Sequence, residues 1–219
     1  MNFEFLQLVL PSLLRGAIMT LVISLVSIFI GLVIGMAICQ MRRSKRALLQ
    51  VPAKIYISAL RGIPVLVVLM LLFYLPSNIG LEIPAIVVAI ASLSMNTSAF
   101  QAEIFRAGFA SIPVGQVEAA KALGMTNGRI FMRLLMPQVL GMTMPELVNE
   151  IIILLKNSSL ISVIAVTELM RCGEQLVSIT YRPAEVYVTA ACLYLLMNVG
   201  ISIVGGKAHK HFSVRTLKG

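Results

Sequence analysis

The sequence predicts an all-α membrane protein with five transmembrane helices, and three observations support this fold class. Of the 219 residues, 58% are hydrophobic and only 12% are charged, whereas roughly a quarter of the residues in an ordinary soluble domain are charged. Several uncharged runs are long enough for a helix to cross the hydrocarbon core, which takes about 20 apolar residues. The formal net charge is +9, and most of the cations fall between these runs. Such a composition excludes a disordered chain and an ordinary soluble domain.

The first transmembrane helix is predicted at residues 16–41, a segment without any charged residue. Gly31 and Gly35 within it have the spacing that lets two membrane helices approach closely. Residues 3–14 are also apolar, but Pro11 interrupts them, and a proline in a helix interior removes a backbone hydrogen bond. We therefore expect residues 3–14 to form an interfacial segment that is separate from this span.

Four more spans are predicted at residues 52–75, 84–105, 139–165 and 185–204. The second of the five has a local break near its start, because Pro64 removes a backbone donor shortly after Gly62. We interpret Arg61 at this break as structural, with a side chain that reaches toward the cytoplasmic headgroups. Together the five spans form one transmembrane domain that covers residues 1–219.

The distribution of basic residues predicts which side of the membrane each loop faces. Fourteen of the 18 Lys and Arg residues lie within residues 42–61, 106–133 and 207–218, and Arg15, Arg171 and Arg182 lie on the opposite side. Cytoplasmic loops carry the excess of Lys and Arg in membrane proteins. We therefore expect an external N-terminus and a cytoplasmic C-terminus. The net charge follows from this topology and does not require a nucleic acid as partner.

The cytoplasmic loop at residues 106–138 is too long for a structureless connection in a compact protein. The sequence predicts two short helices within it, the first starting near Pro113 and ending at Gly124. Thr126 or Asn127 can cap the second helix, and Pro137 is expected to stop it. Two interpretations remain open for this pair: an amphipathic hairpin on the membrane surface, or a docking element for a cytoplasmic partner.

Charged side chains inside the fourth span call for an explanation, because a charge at the bilayer centre costs at least about 2.5–3.5 kcal/mol. Glu146, Glu150 and Asn157 share one helix face, and Asn149 and Lys156 lie on an adjoining face. Either this polar stripe lines a pathway through the membrane, or Lys156 pairs with a neighbouring glutamate and stabilises the bundle.

The third span carries a second set of polar residues, Asn96, Thr97, Gln101 and Glu103. Glu103 either supplies negative charge to a pathway or pairs with Arg106 near the cytoplasmic face. We expect the third and fourth spans to line the pathway together.

The residue types that most often catalyse reactions or bind metals, Asp, Cys and His, are absent or few in this chain. It contains no Asp, its cysteines Cys39, Cys172 and Cys192 are far apart, and His209 and His211 belong to a basic tail. No stretch resembles the phosphate-binding pattern GxxxxGK[ST]. We therefore expect no catalytic residue, no metal site and no cofactor held by this chain itself.

Residues 118–137, EAAKALGMTNGRIFMRLLMP, resemble the EAA motif of the permease subunits of bacterial ABC importers. The spacing from Glu118 to Gly124 to Pro137 matches the motif, and Leu134 and Met136 depart from it conservatively. LRGIPVLVVL (60–69), SAFQAEIFRAGFASIPVGQ (98–116) and LLKNSSLISVIAVTELM (154–170) resemble the polar amino-acid subgroup, which serves histidine, glutamine, arginine, glutamate or opine uptake.

The resemblance implies a non-catalytic permease subunit in the bacterial cytoplasmic (inner) membrane. Its partners would be an ATP-binding subunit that binds and hydrolyses ATP, an extracytoplasmic substrate-binding protein, and a second permease in a homodimer or heterodimer. The ATPase-docking residues it implies are Glu118, Ala119, Ala120, Gly124 and Pro137. For the substrate pathway we select Asn96, Gln101, Glu103, Glu150, Asn157 and Ser158. The alternative is an ATP-independent channel or secondary transporter for small polar solutes.

One position departs from the subgroup in a way that bears on the substrate. Asn157 stands where the subgroup usually has an aspartate in the pattern LLK-Asp-[Ser/Thr]-Ser-Leu. If the acidic residue of the subgroup contacts the amino group of the substrate, Asn157 offers only a neutral hydrogen-bond partner in its place. This weakens the prediction of a dicationic substrate without excluding one.

Overall fold

The computed structural model describes residues 3–217, with the side chains of residues 5–210, and every regular element in that part of the chain is helical. The predicted all-α class is thereby confirmed. In chain order the helices are α1 (Phe3–Arg43), α2 (Ala47–Gly62), α3 (Val65–Asn78), α4 (Ala85–Ala110), α5 (Val114–Ala122), α6 (Asn127–Arg129), α7 (Met136–Asn157), α8 (Leu169–Thr180) and α9 (Pro183–Leu217). A π-helical segment (Ile130–Leu135) joins α6 to α7, and a 3₁₀ segment (Ser158–Ile164) continues α7.

Four helical stretches in the described part of the chain are long and apolar enough to cross a membrane: Phe5–Arg43, Ala85–Ala110, Asn127–Ile164 and Pro183–Lys210. The predicted first and fifth spans lie within them, and so do the predicted third and fourth spans except for Pro84 and Ala165 at their ends. The count rises to five if the bent pair α2–α3 is taken as one span. α9 continues well beyond residue 204, and of the basic tail Lys218 and the side chain of Arg215 lie outside the described residues.

α1 is one continuous helix, so the expected separation of residues 3–14 from the first span is wrong. Pro11 lies inside the helix, where it removes one backbone hydrogen bond. Apolar packing on both sides of it holds the helix together: Val9 and Leu13 are fully buried in a cluster with Leu169 of α8 and Ala190 of α9.

The predicted second span is broken much more sharply than expected, because α2 and α3 meet at an angle of 107°. Ile63 has extended backbone angles, φ −95° and ψ 131°, as the residue before a proline prefers. Pro64 then lies at the N-cap of α3. The predicted local break is therefore present, and the chain turns there at residues 62–64.

The contact between α1 and α4 depends on small residues, as the Gly31 and Gly35 spacing predicts. A Cβ atom on Gly31 would lie 2.5 Å from Cγ2 of Thr97, and one on Gly35 would lie 2.9 Å from the carbonyl oxygen of Ser98. Neither position has room for a side chain at this spacing. The close approach orients α4 and fixes which of its faces points away from α1.

The loop at residues 106–138 contains α5 where its first helix is predicted. Gly124 follows α5 with φ +73°, and the N–H groups of Gly124 and Met125 bond to the carbonyls of Lys121 and Ala120. This is the Schellman arrangement that ends a helix with a left-handed residue. α5 therefore ends in a defined corner at Gly124.

The second helix of this loop does not stop at Pro137, and that expectation is wrong. One helical stretch runs from Asn127 to Ile164. The N–H of Met136 bonds to the carbonyl of Phe131, five residues back, so the π-helical turn adjusts the hydrogen-bond ladder just before the proline, which cannot donate. Thr126 occupies the N-cap without a side-chain hydrogen bond.

α8 lies in a stretch for which the hydropathy predicts no span. Glu168 caps its N-terminus by accepting from the N–H groups of Met170 (2.9 Å) and Arg171 (2.8 Å). The same carboxylate accepts from Thr20 of α1 (3.3 Å) and Tyr194 of α9 (3.0 Å). One fully buried side chain therefore ties three helices together.

Candidate functional site

Two adjoining cavities lie between the end of α2, α4 and α7. The larger cavity, of about 700 Å³, has the charged and polar lining residues Arg61, Glu103, Arg106, Ser111, Thr143, Glu146, Asn149 and Glu150. The smaller cavity, of about 360 Å³, is lined by Arg61, Asn96, Glu150, Asn157 and the chain turn at residues 62–65. Polar side chains thus collect in one region of an otherwise apolar bundle.

Four residues line both cavities, and we call them the junction: Arg61, Phe100, Glu150 and Ile153. The guanidinium carbon of Arg61 lies 5.3 Å from the centroid of the Phe100 ring, within the range of a cation–π contact. The junction therefore brings one cation, one aromatic ring and one carboxylate together where the two cavities meet.

Glu150 supplies the carboxylate of the junction and is buried, with 5% of its surface exposed. Its Oε1 accepts a hydrogen bond of 2.8 Å from the hydroxyl of Thr97 on α4. The predicted stripe on the fourth span is present, since Glu146, Glu150 and Asn157 all line the cavities. Lys156 is exposed and forms no ion pair with a glutamate in the described part of the chain, so the alternative that it pairs with one is wrong.

Asn96 fixes the position of the helix end that carries Arg61. Its side-chain amide donates a hydrogen bond of 3.1 Å to the carbonyl of Leu60, in the last turn of α2. The bond joins α4 to the chain turn and places Asn96 in the wall of the smaller cavity.

Glu103 lines the larger cavity and forms two ion pairs. Its carboxylate lies 2.8 Å from Nε of Arg106 and 3.3 Å from Nε of Arg42 on α1. Of the two alternatives for Glu103, the pairing with Arg106 is present, and Arg42 is a partner that the sequence did not indicate. The negative charge that Glu103 presents to the cavity is therefore balanced by two arginines.

Two of the selected pathway residues lie outside both cavities. Gln101 is 1% exposed and faces α1, where its Oε1 would be 3.0 Å from a Cβ on Gly31. Ser158 is fully buried and donates to the carbonyl of Leu155. Conversely, Arg61 and Phe100 belong to the junction, although we assigned Arg61 a structural role and did not select Phe100.

The segment that resembles the EAA motif, residues 118–137 (the EAA segment), presents an exposed surface beside the bundle. Glu118, Ala119, Gly124 and Pro137 are exposed and Ala120 is buried. Large apolar side chains are exposed nearby at Val114, Leu123 and Met132. A hydrogen bond of 2.9 Å between the side chains of Gln138 and Gln116 connects α7 to α5, so the surface is fixed to the long helix.

An arginine and two phenylalanines connect the EAA segment to the spans. The guanidinium carbon of Arg43, at the end of α1, lies 4.0 Å from the ring centroid of Phe109 on α4. The rings of Phe109 and Phe131 are stacked, with centroids 5.7 Å apart and an angle of 18° between their planes. Phe131 belongs to the π-helical segment, so three elements meet in this stack.

A bundle of membrane-length helices with charged cavities between them defines an integral membrane transport component. The chain belongs to the family described as binding-protein-dependent transport system inner membrane component, whose sequence model matches residues 31–210. This confirms the resemblance noted from the EAA segment.

Relatives and solved structures agree with this assignment. The chain is 38% identical to the octopine transport system permease protein OccM of Rhizobium meliloti over 196 residues, 85% of this chain and 80% of that protein. It is 34% identical to the arginine transport system permease protein ArtQ of Bacillus subtilis (strain 168) over 208 residues, 94% of this chain and 95% of that protein. It superimposes on an amino acid ABC transporter crystallised with histidines with a TM-score of 0.88 and 34% identity, over 96% of this chain and 99% of that chain.

Proposed function

We propose that this chain is the membrane-spanning subunit of an ATP-driven importer that carries a polar amino acid across the bacterial cytoplasmic membrane. The observation that supports it most directly is the junction, where the cation of Arg61 and the carboxylate of Glu150 line adjoining cavities inside an apolar bundle. A free amino acid carries the two complementary charges. Octopine and arginine, named for the relatives above, both have them.

The substrate pathway in this proposal follows the two cavities. Asn96 and Asn157 offer neutral hydrogen-bonding groups in the smaller cavity, and Glu103 and Glu146 add acidic groups in the larger one. Charged groups of this kind inside a membrane protein face water-filled space or each other, because lipid cannot solvate them.

Coupling to ATP takes place through the EAA segment. We infer that Glu118, Ala119, Ala120, Gly124 and Pro137 form the docking element for a separate ATP-hydrolysing subunit, which binds the ATP. The Schellman corner at Gly124 and the exposed apolar side chains of Val114, Leu123 and Met132 support this, since a rigid, partly apolar surface suits a protein partner. This chain then has no catalytic role of its own.

Two further partners complete the importer. A second permease subunit, identical or similar, covers the open side of the cavities, because Arg61, Glu146 and Asn149 are exposed in the single chain. An extracytoplasmic substrate-binding protein delivers the amino acid at the outer face. Five spans with an external N-terminus and a cytoplasmic C-terminus fit this arrangement, with α2 and α3 counted as one broken span.

The test is uptake by the complete complex in proteoliposomes. The chain is purified with its ATPase and binding protein, and the accumulation of histidine, glutamine, arginine, glutamate and octopine is measured with ATP and with ADP. We expect uptake of one or a few of these that requires ATP, and a strong loss in Glu150→Gln. Lys54→Gln removes an exposed charge on α2 outside both cavities and should leave uptake unchanged. Uptake without ATP would overturn the proposal and support the channel or secondary transporter.

A further inference from the structure

We propose that the corner between α1 and α2 binds the headgroup of an anionic phospholipid, and that the exposed apolar face of α2 receives one of its acyl chains. The site is separate from the junction and its two cavities, and it lies on the proposed cytoplasmic side of the membrane. Three features of the described residues support it: a third cavity whose wall carries donors and no acid, unpaired cations at the corner, and an apolar stripe beside them.

The third cavity, of about 690 Å³, lies between the end of α1, the start of α2 and the start of α6. Its lining residues are Gln40, Met41, Arg43, Ser44, Leu49 and Asn127. No carboxylate is among them, and the side chains of Arg43, Ser44 and Asn127 all carry N–H or O–H donors. A wall that offers donors, a guanidinium among them, and no acid suits an anion.

Arg43 has most of its hydrogen-bond donors free. Its guanidinium carbon lies 4.0 Å from the centroid of the Phe109 ring, and its Nη1 donates to Oε1 of Gln40 at 3.3 Å. Within the described part of the chain no carboxylate lies within ion-pair distance of Arg43. A guanidinium that rests on an aromatic face keeps its in-plane N–H groups for other partners, and their geometry matches the oxygens of a phosphate. Arg43 is therefore held in place without being neutralised.

Neighbouring cations add to the positive charge of the corner. Lys45 and Arg46 are exposed, and neither forms an ion pair with a described carboxylate. The charge of Arg42, by contrast, is balanced by Glu103 at 3.3 Å. Arg43, Lys45 and Arg46 are thus left for an anion from outside the chain. Lys and Arg residues next to the cytoplasmic end of a span attract anionic lipid headgroups.

An apolar stripe on α2 favours a lipid over a free anion. Leu48, Val51 and Ile55 are exposed and share one face of the helix, since they lie at i, i+3 and i+7. At 3.6 residues per turn this face is opposite the buried one, which consists of Ala53, Ile57 and Leu60. Leu49, next to Leu48, lines the third cavity, so the stripe begins at the rim of the cavity. A headgroup in the cavity therefore has an apolar surface for its acyl chain directly beside it.

The test is equilibrium binding of phosphatidylglycerol to the delipidated permease–ATPase complex, measured by native mass spectrometry. Phosphatidylethanolamine with the same acyl chains is the comparison, because it carries the phosphate without a net charge. We expect the wild-type complex to bind phosphatidylglycerol about tenfold more tightly or better. Each Lys or Arg near an anionic headgroup contributes a factor of roughly five. Arg43→Gln should therefore weaken this binding about fivefold, and the double variant Lys45→Gln/Arg46→Gln about twenty-fivefold.

Matched variants separate lipid recognition from loss of folding. Arg15 is also exposed and unpaired among the described residues and lies on α1, about 42 Å along the helix from Arg43. Arg15→Gln should leave the binding unchanged. Arg43→Lys keeps the charge and should keep most of the affinity. The double variant replaces only exposed side chains, so it decides the matter if Arg43→Gln does not assemble.

Four results would overturn the lipid site. They are equal affinity for the two lipids, the same affinity in Arg15→Gln as in both corner variants, equally tight binding of free glycerol phosphate, and no binding of phosphatidylglycerol to the complex. Tight binding of glycerol phosphate would make the cavity a site for a free anion, and absence of lipid binding would show that a partner subunit covers the corner. Lipid binding is measured without transport, so each of these results leaves the importer proposal standing.

Discussion

Thr97 on α4 donates a hydrogen bond of 2.8 Å to Oε1 of Glu150 on α7. Both residues are almost fully buried, with 1% and 5% of their surfaces exposed. The bond joins two spans at the point where the two cavities meet. It also holds one carboxylate oxygen of Glu150 in a fixed position, which leaves the other for an incoming group.

We expect Thr97→Val to lower both stability and uptake, whereas Thr97→Ser should stay close to wild type. Valine keeps the shape of threonine but leaves the buried carboxylate without its donor, which costs about 1–3 kcal/mol. Serine retains the hydroxyl. The measurements are thermal unfolding of the detergent-solubilised complex and the initial rate of amino-acid uptake. Equal behaviour of the two variants would show that this hydrogen bond does not position Glu150.

The membrane class and four of the five spans could be predicted from the sequence because hydropathy acts over whole helices. A run of about 20 apolar residues has few alternatives to a spanning helix. A close helix contact at Gly31 and Gly35 was also predictable, since only small residues permit such an approach, but its partner helix α4 was not.

The junction could not be predicted, because it depends on which faces of different helices meet. Asn96, Phe100 and Glu103 lie at i, i+4 and i+7 on α4 and all line a cavity, whereas Gln101 lies on the face toward α1. Selecting residues by polarity alone therefore included Gln101 and omitted Phe100. Arg61 lies at the end of α2, directly before the 107° turn, and the sequence predicts a break there but not its angle.

The course of the helix through Pro137 has a similar explanation. A proline usually ends a helix or kinks it, and that preference is local. The π-helical turn before Pro137 accommodates the missing donor, and the buried side chains of Ile130 and Val139 on either side of it favour one continuous helix. Tertiary packing thus overrides the local signal.

Gly124→Asp and Gly124→Arg should abolish transport while the protein still inserts into the membrane. A Cβ at this position meets no atom within 4 Å, but the backbone has φ +73°, which costs an ordinary L-residue roughly 1–2 kcal/mol. The substitution therefore disturbs the corner of the docking segment and adds a charge to its surface. Gly124→Asn, which tolerates this backbone region, should retain part of the activity. The measurements are ATPase co-purification and uptake, and normal docking and transport by Gly124→Asp would show that the docking assignment is wrong.

Gly31→Val should destabilise the bundle, by about 1–3 kcal/mol as is usual for overpacked cores. Its side chain would collide with Thr97 and Gln101, which lie 2.5 Å and 3.0 Å from a Cβ at that position. Gly206→Ala on α9 is the control, because a Cβ there meets nothing within 4 Å, and alanine favours the helix. We expect a lower unfolding temperature for the first variant and an unchanged or higher one for the second. A Gly31→Val protein as stable as wild type would contradict the close contact of α1 and α4.

Glu168→Gln should destabilise the packing of α1, α8 and α9. The carboxylate accepts from four donors, and an amide replaces one accepting oxygen by a donating nitrogen, so at least one buried donor loses its partner. Tyr194→Phe removes one of these hydrogen bonds and should have the smaller effect, about 1 kcal/mol. Thermal unfolding of both variants measures the difference. If Glu168→Gln matched the wild type, the capping of α8 would not depend on the carboxylate.

Phe131→Ala should reduce the amount of amino acid transported per ATP hydrolysed. The Phe131 ring stacks on Phe109, which in turn lies under the guanidinium of Arg43, so in the proposed coupling this stack carries movement of the docking segment to α4 and α1. Its loss leaves a cavity and weakens that link, without changing the exposed surface of the proposed docking element. Leu196→Ala is the matched control, because Leu196 is also a large apolar residue, is 66% exposed, and lies on α9, outside both the stack and the docking segment. We expect normal co-purification of the ATPase with both variants and a lowered ratio of uptake to hydrolysis with Phe131→Ala alone. An unchanged ratio in Phe131→Ala would mean that the stack only supports the fold and that movement passes through the backbone of the long helix instead.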